Sequence, residues 1–454
     1  MARHPDRPAP ELRPELCKGC GRCLAACAHG CLEAGGAVHP ESGLVPVVLR
    51  PEACTGCALC VEACPEPYAL ALPAPRPGPP APPHAAELPD VRLELAPSRP
   101  LLLKGTHASA VGALLAGCRH FFGYPITPST EGAERMAELL PVLGGGFVQA
   151  ASEVAAVNML YGCGAAGRRA MTFTSSPGFS LMLEGISYLV GAEVPAVFVD
   201  VMRAGPGLGN IGPAQADVAL ACRGLGHGDS HAIVLAPATT QELLDFTLLA
   251  FDLAFRYRGP VVLLADGHLG QLSGRVELPR ALVRPGLPAW AVWGDAAHRR
   301  GLVTSIHLSE ADLEAHVLGL VGKYRRMAAA EQRAETFRCE DAELLLIACG
   351  TPARTARGAV ERLRAGGIRA GLFRPQTLWP FPVDALLPLL ARARRLLVVE
   401  ASDGQLEDEV RLALGRADAP RIALGGVRRL GGVLPSEGEI LEAAGARAGK
   451  AVAA

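Results

Sequence analysis

No apolar stretch in this chain approaches the roughly 20 uninterrupted residues of a membrane span, so a membrane-embedded protein is not expected. A surplus of one charge is missing too. Lys plus Arg total 44 and Asp plus Glu 45, a formal net charge of −1, which speaks against nucleic acid or an anionic membrane as partner. Met1–Leu16 is proline-rich and lacks an apolar core, so no secretory signal is expected and a cytoplasmic setting is. In that setting the 14 cysteines are not expected to pair as disulfides. At 454 residues the chain is long for one core, and about two to four domains are expected.

What is present is concentrated near the N-terminus, in two cysteine runs. They read Cys17-x2-Cys20-x2-Cys23-x3-Cys27 and Cys54-x2-Cys57-x2-Cys60-x3-Cys64-Pro65. Three thiolates at this spacing wrap one face of an iron–sulfur cube, while the fourth ligates the other cluster when two runs pair. One 4Fe-4S cluster is therefore assigned to Cys17, Cys20, Cys23 and Cys64, and the second to Cys54, Cys57, Cys60 and Cys27. Zinc ribbons use paired Cys-x2-Cys, whereas each run here continues to a third and a fourth cysteine. Cys31 falls outside both runs and reads as a spare thiol. Cys118, Cys163, Cys222, Cys339 and Cys349 sit among apolar residues and read as structural thiols.

Residues 1–70 form a unit too small to fold on apolar packing alone, so the clusters are expected to act as its core. Residues 71–100 contain Pro-Ala-Pro, Pro-Gly-Pro-Pro and Ala-Pro-Pro, which favours an extended spacer. Over 101–272 short apolar strands alternate with helices: Gly146–Gln149, Arg169–Thr174, Ala196–Met202, Ala232–Leu235 and Pro260–Leu264 against Glu153–Cys163, Phe179–Leu189 and Thr240–Phe255. This α/β alternation implies a parallel sheet covered on both faces. Residues 273–340 read as a connecting segment, 341–426 as a smaller α/β domain and 427–454 as a polar tail.

Four segments lie where a strand gives way to a loop or helix: Gly123–Thr130, Gln149–Ala156, Thr172–Met182 and Val201–Asn210. That is where open α/β folds place their ligands. Glu153 follows the N-cap candidate Ser152, and a carboxylate in the first helical turn is stabilised there; it could serve stability alone. Arg203 closes an apolar strand and suits bidentate capture of a carboxylate, or a plain ion pair at a strand end. Thr127 lies between Pro125 and Pro128, which aim its hydroxyl or simply make a turn. Gly207-x-Gly209-x2-Gly212 matches the dinucleotide fingerprint in form only, because Pro206 and Pro213 crowd it and no helix opens there.

These four segments closely resemble the thiamine-diphosphate-dependent 2-oxoacid:ferredoxin oxidoreductases, in the subunit with the pyrimidine-binding domain. Arg203–Asn210, Gly226–Asp229 and Ala265–Gln271 are most similar to the 2-oxoisovalerate branch. The resemblance runs from about Lys104 to Gly425 and includes Arg374–Pro382. It implies an α/β fold: a pyrimidine-type thiamine-diphosphate domain, then a transketolase C-terminal-like domain, here preceded by a small α+β ferredoxin domain with two clusters. By the same resemblance Glu153 is the acid that hydrogen-bonds the thiamine aminopyrimidine, and Thr127 and Arg203 hold the oxoacid. Ser176, Pro177 and Gly178 are then the wall beside the cofactor. Ala151 departs from relatives that carry an acid two residues before the glutamate.

One motif is absent. Thiamine enzymes hold the diphosphate through Mg²⁺ with a Gly-Asp-Gly and a later Asn, hard oxygen ligands suiting that ion. No Gly-Asp-Gly occurs here; Gly228-Asp229-Ser230 and Asp266-Gly267 do not complete the pattern. The resemblance therefore implies a beta-type partner subunit holding thiamine diphosphate with Mg²⁺, and leaves room for a gamma-type subunit. Coenzyme A, a branched-chain 2-oxoacid and an external ferredoxin are the implied reactants. Oxidation of 2-oxoglutarate is the rival; Arg168 and Arg169 are available for its distal carboxylate, although paired arginines at a helix end are usually a solvated face. A non-catalytic electron-transfer subunit is the other.

Overall fold

The computed structural model describes residues 8–66, 68–73, 88–294, 298 and 301–445, in two compact units, Met1–His84 and Ala85–Ala454. The expected spacer over 74–87 and the end of the expected tail, 446–454, lie outside the described residues.

In the first unit both cysteine runs are built alike. A 3-10 turn opened by proline (Pro14–Leu16, Pro51–Ala53) delivers the first cysteine, and a left-handed residue (Gly21, Ala58) follows the second. A short helix (Arg22–Ala26, Leu59–Glu62) then carries the third. Leu32–Ala34 pairs with Val47–Leu49, and Glu11–Leu12 with Leu70–Ala71, both antiparallel. Gly19 has a φ of 65°, and a Cβ there would stand 2.2 Å from the Val45 carbonyl oxygen, so only glycine fits. The buried apolar set is small, Leu32, Val47, Ala69 and Leu70 besides cysteines, too little to hold the unit without its metal.

In the second unit the strands of the two larger sheets are β1 (His120–Gly123), β2 (Gly146–Gln149), β3 (Ala170–Thr174), β4 (Ala196–Met202), β5 (Ile233–Leu235), β6 (Pro260–Asp266), β7 (Ala334–Phe337), β8 (Leu344–Ile347), β9 (Ala370–Pro375), β10 (Thr377–Trp379), β11 (Arg395–Glu400) and β12 (Ala423–Arg428). The helices include α1 (Glu153–Ala165), α2 (Ser176–Gly191), α3 (Val218–Arg223), α4 (Thr240–Tyr257), α5 (Gly350–Ala365) and α6 (Glu437–Ala443). One sheet runs β10-β5-β6-β4-β3-β1-β2 and the other β7-β9-β8-β11-β12, parallel except at β10 and β7. The central strand β4 is buried along its length. Phe198 and Met202 pack on one face and Val197, Val199 and Val201 on the other, as a sheet covered on both sides requires.

Several boundaries fall elsewhere than expected. Val91–Glu94, within the expected spacer, pairs with Ala281–Arg284. The expected connector supplies the helix Glu310–Ala330 and the edge strand β7. The domain does not end at 426: β12 runs through Arg428, and α6 buries Ile440 in the core beside α5. Arg374, only 5% exposed, donates from Nη1 to Glu242 at the start of α4 (3.0 Å) and pairs with Glu335. It thereby ties the second sheet to the first.

Candidate functional site

The thiols of the first unit fall into two groups. Cys23 is held above the ordinary thiol range by burial and by its neighbours Cys64, Cys17 and Cys20. Cys60 is raised by burial and by Cys27 and Cys54. The first set mixes three residues of one run with the fourth of the other, and the second mixes two of its run with the fourth of the other. Crowded thiols cannot ionise together unless positive charge is supplied between them, so both sets fit an iron–sulfur cluster. A cavity lined by Cys27, Cys54, Cys57 and Cys60 marks the second position, and Cys31 stands on its wall as a fifth thiol. Backbone amides point at the sulfurs: Gly19 and Val47 to Cys17 (3.4 and 3.5 Å), Gly56 to Cys54 (3.4 Å), Cys31 to Cys27 (3.3 Å). Among the described residues no three Cys, His, Asp or Glu groups converge as a single metal ion requires.

In the second unit the carboxyl ends of β1, β3 and β4 converge. Ser152 caps α1, its hydroxyl accepting the Ala155 amide (3.2 Å), and Glu153 follows it at 5% exposure. No donor among the described residues reaches the Glu153 carboxylate. It lies against Gly178 in the first turn of α2: a Cβ at Gly178 would stand 2.6 Å from Glu153 Oε1 and 2.4 Å from Thr174 Oγ1. Thr174 and Ser175 are fully buried with hydroxyls that have no partner among the described residues. A buried acid without a donor, beside two unpaired hydroxyls and a glycine-cleared surface, fits a polar heterocycle such as an aminopyrimidine.

Arg203, at the end of β4, donates from Nη1 to the Thr127 carbonyl (2.9 Å), while its buried Nε has no partner among the described residues. Thr127 itself is exposed. Ser176 is placed beside them, but its hydroxyl is engaged: it donates to Asp217 and accepts the Arg203 amide (3.0 Å). Pro177 opens α2. No helix follows Gly212; the loop pairs Arg203 with Pro213, and Asn210 reaches the Gly431 carbonyl (3.0 Å).

Arg168 and Arg169 are not brought to this place. They stand at the amino end of β3, the opposite edge of the sheet. Arg168 stacks on Trp293, 4.2 Å from the ring centre, and Arg169 is buried, bound to Asp90 and to the Ala116 carbonyl (2.7 Å). Asp266 is likewise occupied, accepting the His268, Leu269 and Thr351 amides (3.0, 3.0 and 3.2 Å). Two acids escaped the sequence reading, Asp217 and the wholly buried Asp200. The signal for Asp200 was an acid inside a run of valines, a residue type almost never buried without a partner.

Residues 111–315 match the thiamine-diphosphate-binding family of pyruvate flavodoxin/ferredoxin oxidoreductases, 342–440 match pyruvate:ferredoxin oxidoreductase core domain II, and 16–67 match a 4Fe-4S dicluster domain. Ketoisovalerate oxidoreductase subunit VorB of Methanothermobacter thermautotrophicus is 47% identical, the match covering 75% of this chain and 96% of that protein. The 2-oxoglutarate synthase subunit KorA of Methanocaldococcus jannaschii is 36% identical over 70% of this chain and 92% of that one. A solved 2-oxoglutarate:ferredoxin oxidoreductase from Magnetococcus marinus superposes with a TM-score of 0.69 at 27% identity; the match covers 76% of this chain and 65% of that chain, under two thirds of its length. No described helix is long and apolar enough to cross a membrane. The chain belongs to the 2-oxoacid:ferredoxin oxidoreductase family, as a subunit that joins a 4Fe-4S dicluster domain to a thiamine-diphosphate-binding domain.

Proposed function

We propose that this chain supplies the activating carboxylate and the substrate clamp of a cytoplasmic complex that oxidatively decarboxylates a branched-chain 2-oxoacid, 2-oxoisovalerate first among them. The observation that carries the reading is the donor-free Glu153 carboxylate against Gly178, at the same sheet edge as Arg203 and Thr127. Thiamine diphosphate, when bound, supplies the carbon nucleophile. Glu153 would hold the aminopyrimidine nitrogen opposite its amino group and assist proton transfer there. Arg203 would take the oxoacid carboxylate with its free Nε edge, and Thr127 its carbonyl oxygen. Ser176 contributes through Arg203, and Pro177 and Gly178 form the surface against the ring.

With no Gly-Asp-Gly in the chain and Asp266 already satisfied, the diphosphate and its Mg²⁺ belong on a beta-type partner subunit. A gamma-type subunit is compatible with the same scheme. The two clusters, held by the cysteines of the first unit, would supply the electron path to an external ferredoxin, and coenzyme A would take the acyl group. Against 2-oxoglutarate stands the position of Arg168 and Arg169, both engaged on the far edge of the sheet.

In the complex purified with its partners, thiamine-dependent ferredoxin reduction is expected to show a higher kcat/KM for 2-oxoisovalerate than for 2-oxoglutarate. The reverse ratio overturns the substrate, and no turnover with any oxoacid makes the chain a docking and electron-transfer subunit. Arg203→Lys replaces a planar fork by a point charge. Losing one charged hydrogen bond, about 1.5–3 kcal/mol, should raise KM about 10- to 100-fold with kcat largely kept.

A further inference from the structure

Asp200 is the only charged residue of β4 and is wholly buried, and neither carboxylate oxygen has a partner of hydrogen-bond geometry among the described residues. What faces it is another acid, Asp217, just before α3 and 7% exposed. Two carboxylates are acceptors only, so neither can donate to the other unless one carries a proton. No cation among the described residues acts on either acid: α2 presents the Ser176 amide and hydroxyl, β3 places Thr174 in register and β6 places Leu264. Burial and the facing Asp217 hold Asp200 well above the ordinary carboxylate range, and burial holds Asp217 above it as well. Asp217 in turn accepts the Ser176 hydroxyl proton, and that hydroxyl accepts the Arg203 amide at 3.0 Å.

We propose that Asp200 and Asp217 share a single proton, and that this pair fixes the Ser176 hydroxyl and, through it, the orientation of Arg203 toward a substrate carboxylate. The inference rests on the reading of Arg203 as the clamp. Both acids are positioning residues and touch no reactant. Loss of the shared proton leaves two adjacent buried anions, whose repulsion at low dielectric pulls Asp217 from Ser176. Substrate binding then weakens as pH rises, while the proton transfer assigned to Glu153 does not depend on the pair.

The test uses the complex purified with its partner subunits. Asp200→Asn carries the charge of the singly protonated pair and donates to Asp217 without a shared proton. Wild type should show a KM that climbs at alkaline pH. In the Asp200→Asn complex KM should stay near the wild-type value at neutral pH and lose that climb. Asp200→Ala, which removes the group that shares a proton with Asp217 and leaves a void beside it, should raise KM throughout. An infrared difference between wild type and Asp200→Asn at neutral pH should contain the carbonyl stretch of a protonated carboxyl. Absence of that band, or matching KM profiles in wild type and Asp200→Asn, overturns the shared proton even where Arg203→Lys raises KM. If Arg203→Lys leaves KM unchanged, the clamp itself is refuted and the inference falls with it.

Discussion

Glu153→Ala, in the assembled complex, is expected to lower oxoacid-dependent ferredoxin reduction by about 10²- to 10⁴-fold, the range that a positioned acid–base group contributes. Both clusters should remain visible by electron paramagnetic resonance, because Glu153 lies in the second unit and every candidate cluster ligand in the first. The expectation follows from what surrounds the carboxylate. It sits at the dipole-positive start of α1, 5% exposed, and no donor among the described residues satisfies it. Leaving such a group unpaired is costly unless a ligand completes it. Gly178→Ala provides an independent approach to the same atom. It retains Glu153 but places a methyl 2.6 Å from Oε1, so the carboxylate must shift and activity should fall although no reactive group has been removed. Activity within about tenfold of wild type in Glu153→Ala would remove the acid from the chemistry, since that lies below the range for a positioned acid–base group.

How far such residues can be read from sequence depends on how local their causes are. Glu153 was legible because its setting is a few residues long: a strand, the capping Ser152, then an acid at the first helical position. The strand Ala196–Met202 was equally plain, an apolar run with no interruption other than Asp200. By contrast β10 is three residues whose pairing with β5 depends on chain some 140 residues away in sequence, and nothing local announces it. Helix α6 escaped because its surface is polar, although Ser436-x-x-Glu439 spells the capping box that starts it. Ser176 was expected against the cofactor, but the competing acceptor, Asp217, comes from a loop 41 residues on, and its hydroxyl serves Arg203 instead. Spacing alone also left Arg168 and Arg169 as substrate cations; their place at the amino end of β3 is a property of strand direction, visible only once the sheet is built.

The second large effect is expected at Cys64. If the fourth cysteine of each run serves the other run's cluster, Cys64→Ala should abolish the same paramagnetic signal as Cys23→Ala, although 41 positions separate the two residues. Cys27→Ala should instead match Cys60→Ala. The pairing follows from the neighbours of each buried thiol: Cys64, Cys17 and Cys20 around Cys23, and Cys27 and Cys54 around Cys60. Iron per chain should fall by about half in each variant, since one cluster of two loses a ligand. Ferredoxin reduction should fall steeply in both pairs while decarboxylation at the other unit is still detectable with an artificial oxidant. The crossing would also explain how so small a unit holds together. With Leu32, Val47, Ala69 and Leu70 as almost its whole buried apolar set besides cysteines, a cluster that binds residues from both halves would staple one to the other. An uncrossed result, in which Cys64→Ala and Cys60→Ala lose the same signal, would leave each half folded around its own metal, and Cys64→Ala would then spare the cluster of the first run.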